Sequence, residues 1–287
     1  MLVRIGTRSS ALAMVQTRRV IEKMKTVMPN FEPEIKAIKT SGDAKQKITG
    51  SGAFVNEINM AILQGKVDIG VHSLKDLPAS LPRGLLIACV PERLSPNDAL
   101  LSRGGSDLYR LPSGAVIGTS CPRRVAEIRH LRHDLKFGVI RGNIETRIKK
   151  MQDGCYDAIV VALAALERLG REGLISQRFE LEEVVPAPGQ GALAVVCKKD
   201  YKWGNVLAEI NDERAWLETI CERTFIEKLK TGCMSSTGAV ARADGRKIKL
   251  TAVIHHKGRI LRYFEGKEPR RLGKIAAKTM AGVLNAI

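Results

Sequence analysis

The segment IGVHSLKDLP, residues 69–78, contains a lysine and an aspartate that could carry out acid–base chemistry. Both follow a predicted buried strand. The apolar positions Ile69 and Val71 predict the strand, and Lys75 and Asp76 come directly after it. In open α/β sheets, ligands bind just beyond the carboxyl ends of the strands. A carboxylate there can carry a proton, and the neighbouring ammonium group can hold an anionic substrate. The alternative is a surface turn with a solvated ion pair, closed by Pro78, and this segment alone does not decide between the two.

Hydroxyl and guanidinium groups stand at three further places where a predicted strand passes into a predicted helix. A helix N-terminus attracts anions through its free N–H groups and its dipole, and an arginine can bind a carboxylate with two hydrogen bonds. A single such arginine is more often a solvated charge at a helix end, but three junctions of one type favour an anion-binding pocket. Their candidate side chains are Arg8, Ser10, Thr119, Ser120, Arg123, Arg124, Arg141 and Arg147.

The charge of the chain also points to an anionic partner. Its 287 residues include 47 basic and 30 acidic side chains, which give a formal net charge of +17. Such a field attracts nucleic acid, an anionic membrane or a small polycarboxylate. The sequence has no block of five or six consecutive basic residues, so a polybasic tail is not expected. Aromatic residues make up only 4% of the chain, which argues against a base-stacking platform. Arginines placed singly or in pairs at element boundaries favour a lined pocket.

The cysteine and histidine patterns predict free thiols and no metal site. The six cysteines have no C-x-x-C spacing, no secretory signal is predicted, and no apolar run approaches the roughly 18 residues of a membrane span. A reducing cytoplasm is therefore expected, and the histidines lack partners at zinc spacing.

Cys233 lies in a predicted loop after Gly232, where a basic neighbourhood can make a thiol nucleophilic. The alternative is a small buried hydrophobic residue, as most free cysteines are.

The first ninety residues alternate between strand and helix patterns, which is typical of βαβ units in a mostly parallel sheet. Ser9 or Ser10 can cap a first helix that the apolar spacing extends to about Met28. Gly65 is the expected C-cap region of the second helix, and Ser41–Gly52 is predicted to be an active-site loop. The predicted strands are Leu2–Gly6, Glu34–Lys39, Val67–Val71 and Leu85–Val90, and the second helix is Phe54–Leu63.

Two short sequence echoes indicate that a second α/β domain repeats the first. Residues 5–7 (IGT) are matched by residues 117–119, and residues 67–71 resemble residues 156–160. A strand predicted at Ala192–Cys197 would return to the first domain. After about residue 212 the pattern changes to a helix followed by antiparallel strands with two glycine turns. These elements are predicted at Asp212–Lys230, Thr237–Arg242, Ile248–Ile254, Ile260–Phe264 and, for a closing helix, Leu272–Leu284.

The predicted fold class is α/β. It has two similar doubly wound, periplasmic-binding-protein-like domains around a cleft, plus a small α+β C-terminal domain with a three-stranded antiparallel sheet. The expected first domain combines residues 1–91 and 192–209, the second covers 97–185, and the third covers 214–287.

With these residues assembled, the chain resembles the porphobilinogen deaminase family, also called hydroxymethylbilane synthase, from about residue 3 to at least residue 265. The resemblance rests on seven segments in the family's order: IGTRSSALA, GAFVNEI, VDIGVHSLKDLP, GTSCPRR, RGNIETR, PAPGQGALA and the Gly232-Cys233 loop. It implies a dipyrromethane cofactor, attached through a thioether to Cys233 in the C-terminal domain. Four porphobilinogen units would be added in turn, each with loss of ammonia, and the linear tetrapyrrole would then be hydrolysed off.

The resemblance also implies roles for the candidate residues. Asp76 would be the general acid and base, and its charge would stabilise the cationic azafulvene and the pyrrole N–H groups. Each pyrrole carries an acetate and a propionate, which a cleft ringed by arginines could bind. The implied binding residues are Arg8, Ser10, Ser73, Lys75, Thr119, Ser120, Arg123, Arg124, Arg141, Arg147 and Arg168, with Gln190 near the returning strand.

Three positions depart from the family's usual pattern. Thr231-Gly232 stands where Gly-Gly is common before the cofactor cysteine, and attachment should survive this change. Cys121 replaces a frequent serine, and because a thiol is the poorer hydrogen-bond donor, one carboxylate contact should weaken. Cys121 also becomes a second candidate thiol. Ser51 stands where the loop often carries a lysine, which leaves its part in substrate capture open.

The predicted function is that of a monomeric, cytoplasmic transferase that converts porphobilinogen, a small molecule, to hydroxymethylbilane without nucleic-acid or membrane partners. One alternative is a non-catalytic binder that uses a periplasmic-binding-type cleft for an anionic ligand. A second is a nucleic-acid protein, which would show steep, salt-sensitive affinity.

Overall fold

The computed structural model of the chain describes residues 1–40, 55–229 and 236–286. The predictions for the loop at 41–52, including Ser51, and for Cys233 therefore lie outside the described residues. The helices are α1 (Ala11–Val27), α2 (Asn56–Leu63), α3 (Pro122–Leu131), α4 (Ile144–Gln152), α5 (Leu163–Leu169), α6 (Gly204–Ala208), α7 (Glu213–Leu229) and α8 (Pro269–Ala286). The strands are β1 (Leu2–Arg8), β2 (Glu32–Ile38), β3 (Ile69–Ser73), β4 (Leu85–Cys89), β5 (Asp98–Ser102), β6 (Val116–Gly118), β7 (Lys136–Gly138), β8 (Ala158–Ala162), β9 (Gln177–Arg178), β10 (Leu193–Lys198), β11 (Thr237–Asp244), β12 (Lys247–His256) and β13 (Gly258–Gly266).

The two α/β sheets have the same strand order. The first sheet runs β2-β1-β3-β10-β4 and the second runs β7-β6-β8-β5-β9. In each sheet the first three strands are parallel, and the fourth pairs antiparallel with both of its neighbours. The third sheet is the antiparallel meander β11-β12-β13. The predicted class of two similar α/β domains and a three-stranded antiparallel domain is confirmed, although each α/β sheet is mixed.

The internal repeat extends to individual hydrogen bonds. The carboxylate of Asp68 accepts a 2.7 Å hydrogen bond from the backbone N–H of Arg4. At the matching place in the second sheet, the carboxylate of Asp157 accepts one of 2.8 Å from the N–H of Val116. Each aspartate directly precedes the third strand of its sheet and holds the backbone of the neighbouring parallel strand, β1 or β6. The two sequence echoes therefore mark equivalent positions, as predicted.

Strand β10 returns to the first sheet and lies between β3 and β4, which confirms the prediction for Ala192–Cys197. Its counterpart β5 was not predicted. The chain divides into two compact units, residues 1–93 with 192–219 and residues 94–191 with 220–287. The meander thus groups with the second sheet, and the three-domain division remains a prediction.

Helix α1 and helix α2 cover opposite faces of the first sheet. On one face α1 contributes Val20 and Met24 to a core with β1, β3 and β10. On the other face Ile58 and Ile62 of α2 pack with buried residues that follow β3. Fully burying each such side chain contributes roughly 1.5–3 kcal/mol. Because both faces are covered, only the ends of the strands remain for polar chemistry.

Some element boundaries differ from the sequence predictions. Helix α8 begins at Pro269, three residues before the predicted start, since proline is well suited to the first turn of a helix. Strand β2 begins at Glu32 and tolerates Pro33 because β2 is an edge strand. Helix α1 is capped by Ser10, whose hydroxyl accepts from the N–H of Ala13 at 3.4 Å. Among the described residues, no helix is both long and apolar enough to span a membrane.

Candidate active site

Asp76 lies where the sequence predicted it, just beyond the carboxyl end of β3. A single 3-10 turn, Leu74–Asp76, follows the strand directly. Leu74 is buried and anchors this turn, because its backbone N–H donates to the carbonyl of Ala192 at 3.0 Å. The turn is therefore attached to the residue that precedes β10, while Lys75 and Asp76 remain partly exposed.

The side chains around Asp76 form a small pocket at this end of the first sheet. Its volume is about 100 Å³. All five candidates from the first α/β domain line it: Arg8, Ser10, Ser73, Lys75 and Asp76, together with Leu12, Ala13, Gln16, Val55, Val71 and His72. The structure thus brings together two segments that lie more than sixty residues apart in the sequence. Their catalytic and binding roles remain predictions.

Gln16 is a pocket residue that the sequence analysis missed. Its side-chain amide donates to the hydroxyl of Ser73 at 2.9 Å, and Gln16 itself is only 5% exposed. The sequence did carry one signal for it: Gln16 is a polar residue on the side of the predicted helix that also carries Ala13 and Thr17, which were expected to be buried. This hydrogen bond joins α1 to the end of β3 and fixes the Ser73 hydroxyl toward the pocket.

His72 is a buried, neutral histidine beside the same pocket. It is 4% exposed, and its Nε2 atom has no hydrogen-bond partner in the described part of the chain. Burial lowers the pKa of His72 to about 3, because a charged imidazolium would lose its hydration there. The ring therefore adds no positive charge to the pocket near neutral pH.

The burial of His72 predicts a pH-dependent stability. A histidine in an unfolded chain titrates near pH 6.5, whereas the pKa of His72 in the folded chain is about 3. Between these two pH values the unfolded state therefore binds a proton that the folded state does not bind. The contribution of His72 is full above about pH 6.5 and falls toward pH 3, by at most about 1.4 kcal/mol per pH unit. Urea unfolding from about pH 7 to pH 4.5 should show a shallower decline for His72→Gln than for the wild type. The exposed control His256→Gln should follow the wild type, and equal slopes for all three proteins would contradict the prediction.

In the second α/β sheet, Arg123 and Arg124 bind a buried carboxylate, Asp98. Arg123 Nη2 donates to Asp98 Oδ2 at 2.7 Å, and Arg124 donates to Oδ1 from Nη2 at 2.7 Å and from Nε at 3.2 Å. Burial alone would raise the pKa of Asp98, but the two guanidinium groups hold it well below its usual range. The sequence predicted an anion site at this junction; in the structure both arginines bind an internal anion, Asp98, and their role toward a substrate or cofactor remains a prediction. The aspartate is 25 residues away from its first partner and gave no local signal.

Arg168 and Gln190 are also held by the protein itself. Arg168 Nη2 donates to the carbonyl of Gly191 at 2.7 Å. Gln190 Nε2 donates to the carbonyl of Pro96 at 2.7 Å and to Asp98 Oδ1 at 2.9 Å. Gly191 has a φ of +87°, and a Cβ there would collide with the Leu94 carbonyl. The sequence PAPGQGALA therefore forms a close crossing of two chain segments, with Gln190 fixed beside Asp98.

Three of the remaining candidates of the second sheet, Ser120, Arg141 and Arg147, are less enclosed, whereas Thr119 is buried. Arg141 is exposed, and Arg147 Nε donates to the carbonyl of Gly142 at 2.8 Å. The Ser120 hydroxyl donates to the carbonyl of Ile140 at 2.6 Å, and the Thr119 hydroxyl accepts from the N–H of Cys121 at 3.2 Å. The candidates of the second unit thus fall into a buried set and a more exposed set. The buried set is Thr119, Arg123, Arg124, Arg168 and Gln190, and the more exposed set is Ser120, Arg141 and Arg147.

Cys121 has a different environment from the core cysteines. It is the N-cap residue of α3, and its side chain makes no capping hydrogen bond. Burial would raise the pKa of its thiol, but Arg123 and Arg124 lower it overall. Burial raises the pKa of Cys89 and Cys221 to about 12. Cys121 is therefore the more thiolate-like group, which is consistent with its identification as a second candidate thiol.

A second groove, of about 590 Å³, lies between β2 and α2 and is larger than the pocket at Asp76. The surface of this groove is mainly apolar, and its lining includes none of the predicted site residues, so we assign the candidate site to the smaller pocket. Within the described ranges, no group of three or more histidine, cysteine or acidic side chains could hold a metal ion.

Family comparisons cover nearly the whole chain. Residues 3–204 match the model of the porphobilinogen deaminase, dipyromethane cofactor binding domain, and residues 216–282 match the porphobilinogen deaminase C-terminal domain. A probable porphobilinogen deaminase of Archaeoglobus fulgidus is 42% identical over 259 residues, which is 88% of each chain. The porphobilinogen deaminase of Bacillus subtilis is 39% identical over 290 residues, 97% of this chain and 92% of the relative.

The comparison with solved structures gives a methionine-binding protein and a lipoprotein, both at low similarity. The methionine-binding protein MetQ has a TM-score of 0.48 and 9% identity, over 75% of this chain and 92% of its own. A YaeC-family lipoprotein of Enterococcus faecalis has a TM-score of 0.46 and 14% identity, over 75% and 93%. Scores this low do not establish a shared fold, so the fold class rests on the strand order. The family matches are decisive by contrast: the chain belongs to the porphobilinogen deaminase family.

Proposed function

We propose that the protein is a transferase that joins four porphobilinogen units in turn onto a covalently held dipyrromethane, with release of ammonia. The linear tetrapyrrole hydroxymethylbilane is then set free by hydrolysis. The observation that carries this proposal is the pocket at the end of β3, where Asp76 lies with Arg8, Ser10 and Lys75. It combines a proton carrier with cationic and hydroxyl groups suited to a carboxylated substrate.

The described side chains fit a dipyrromethane cofactor, whose rings carry carboxylates. Around Asp98, the guanidinium groups of Arg123 and Arg124 outnumber the one carboxylate they bind. The Nε atom of Arg123 is buried and has no acceptor among the described residues. Such a surplus of positive charge suits an anionic group. When bound through Cys233, the cofactor supplies the pyrrole carbon to which the first substrate unit is joined.

Asp76 would move the protons of each addition. Its protonated carboxyl donates to the aminomethyl nitrogen of porphobilinogen, so that the carbon–nitrogen bond breaks and ammonia leaves. The carboxylate that results stabilises the cation left on the substrate. When the new carbon–carbon bond forms, the proton displaced from the ring carbon returns to Asp76, which is then ready for the next unit.

The other candidate residues would hold carboxylates. Arg8, Ser10, Ser73 and Lys75 line the pocket of Asp76 and would orient the incoming acetate and propionate. The remaining binding residues are Thr119, Ser120, Arg123, Arg124, Arg141, Arg147, Arg168 and Gln190, all in the second unit. Each charge-assisted hydrogen bond contributes roughly 1.5–3 kcal/mol. A monomeric state and a cytoplasmic location belong to the same proposal, and the family match does not favour the non-catalytic binder.

The proposal is tested by measuring ammonia and product together. The purified chain, incubated with porphobilinogen, should release about four ammonia molecules for each linear tetrapyrrole formed, as stepwise addition requires. Binding of porphobilinogen without release of ammonia would instead support a non-catalytic binder.

A further inference from the structure

Asp98 occupies a position that no motif marks. It is the first residue of β5 and is fully buried. Its two oxygens accept hydrogen bonds from three side chains: Arg123 and Arg124 at 2.7 Å, and Gln190 at 2.9 Å. These three residues come from two distant segments, yet all three were identified as binding residues of the proposed reaction. Their only shared partner among the described residues is a carboxylate that has no assigned role.

The contacts fix the orientation of both guanidinium groups. Arg124 uses Nε and Nη2 on Asp98, and its Nη1 donates to the carbonyl of Val160 at 2.9 Å. Arg123 uses Nη2 on Asp98, and its Nη1 donates to the carbonyl of Val185 at 2.6 Å. Each planar group is therefore held at two or more points, so neither can rotate without breaking a short hydrogen bond.

The charges around Asp98 do not cancel. Two arginines, 2% and 7% exposed, face one carboxylate. The next buried carboxylate, Glu127, acts on Arg123 only through its charge and accepts its hydrogen bond from a third arginine, Arg259, at 2.9 Å. Three arginines thus face two carboxylates. A buried ion pair that served stability alone would be expected to balance its charges, because an uncompensated buried charge is costly. The surplus leaves this cluster attractive to a further anion.

We propose that Asp98 is a positioning residue for the reaction: it holds Arg123 and Arg124 in the orientation in which they bind substrate carboxylates. This inference rests on the proposed function. A purely structural ion pair is the competing explanation. The two differ in what they predict for substrate affinity in a variant that still folds.

The test is Asp98→Asn, which keeps the size of the side chain and one acceptor oxygen but removes the charge. With the arginines misaligned, the KM for porphobilinogen should rise about 10- to 100-fold, while kcat stays within about threefold, since a carboxylate clamp acts alike on bound substrate and transition state. The matched control is Glu218→Gln, which removes the charge from another buried pair, Arg93–Glu218 at 3.0 Å. It should lower thermal stability comparably and leave KM unchanged.

Activities are compared at a temperature where circular dichroism shows every variant folded. If Asp98→Asn does not fold, Asp98→Glu replaces it; the retained charge should support folding, and the longer side chain should still raise KM several-fold. An unchanged KM in a folded Asp98 variant would overturn the inference, and so would an equal rise of KM in Glu218→Gln. In either case, normal turnover by the wild type would leave the proposed function intact. An inactive wild type would instead remove the proposed function.

Discussion

Replacing Asp76 by asparagine is expected to lower the turnover of porphobilinogen by a factor of about 10² to 10⁴, which is the usual contribution of a positioned general acid and base. Asparagine has the size of aspartate but can neither donate a proton to the leaving nitrogen nor carry the charge that stabilises the substrate cation. Asp76 is the last residue of a 3-10 turn whose first residue, Leu74, is buried and hydrogen-bonded to Ala192, so the substitution should leave the fold unchanged. Steady-state release of ammonia measures the effect.

The matched control is Asp200→Asn, an exposed aspartate of the same compact unit that lies outside the pocket. It should retain wild-type turnover. Near-normal turnover of Asp76→Asn would mean that another group moves the protons, and the assignment of this pocket as the reaction centre would then be wrong.

Replacing Cys233 by serine is expected to abolish covalent attachment of the dipyrromethane and, with it, turnover. A hydroxyl has a much higher pKa than a thiol and is a poor nucleophile at neutral pH, so a stable bond to the cofactor should not form. Intact-mass measurement of the denatured variant should give the mass of the bare chain.

Cys121→Ser provides the sharpest comparison, because Cys121 is the described thiol whose pKa is lowered by neighbouring arginines. This variant should keep the adduct. Loss of the adduct in Cys121→Ser, together with its persistence in Cys233→Ser, would move the attachment site to the N-terminus of α3.

The internal repeat was predictable because it is encoded locally. Each α/β domain places an aspartate, Asp68 or Asp157, directly before its third strand, and the carboxylate accepts a hydrogen bond from the backbone of the neighbouring strand. That bond needs an aspartate at the same place before the strand, so the two segments share a short sequence. The location of Asp76 was predictable for a similar reason, since apolar β-type residues lead directly to it.

The cluster around Asp98 could not be predicted in the same way. Strand β5 lies beside β8, which is distant in sequence, and its acidic first residue looks like an ordinary surface charge. Arg124 and Gln190 reach it from 26 and 92 residues away. Local sequence patterns show that two arginines lie at the start of a helix, but they do not show which anion those arginines bind. Gln16 was missed for the same reason, because its partner Ser73 is 57 residues away.

The intact mass of the denatured wild-type chain, followed by mapping of the modified peptide, tests the central claim most directly. We predict one covalent adduct with the mass of two linked pyrrole rings, located on the peptide that contains Cys233, and further masses one pyrrole unit apart after brief exposure to limiting porphobilinogen. A bare chain mass that stays unchanged after exposure to porphobilinogen would contradict the account.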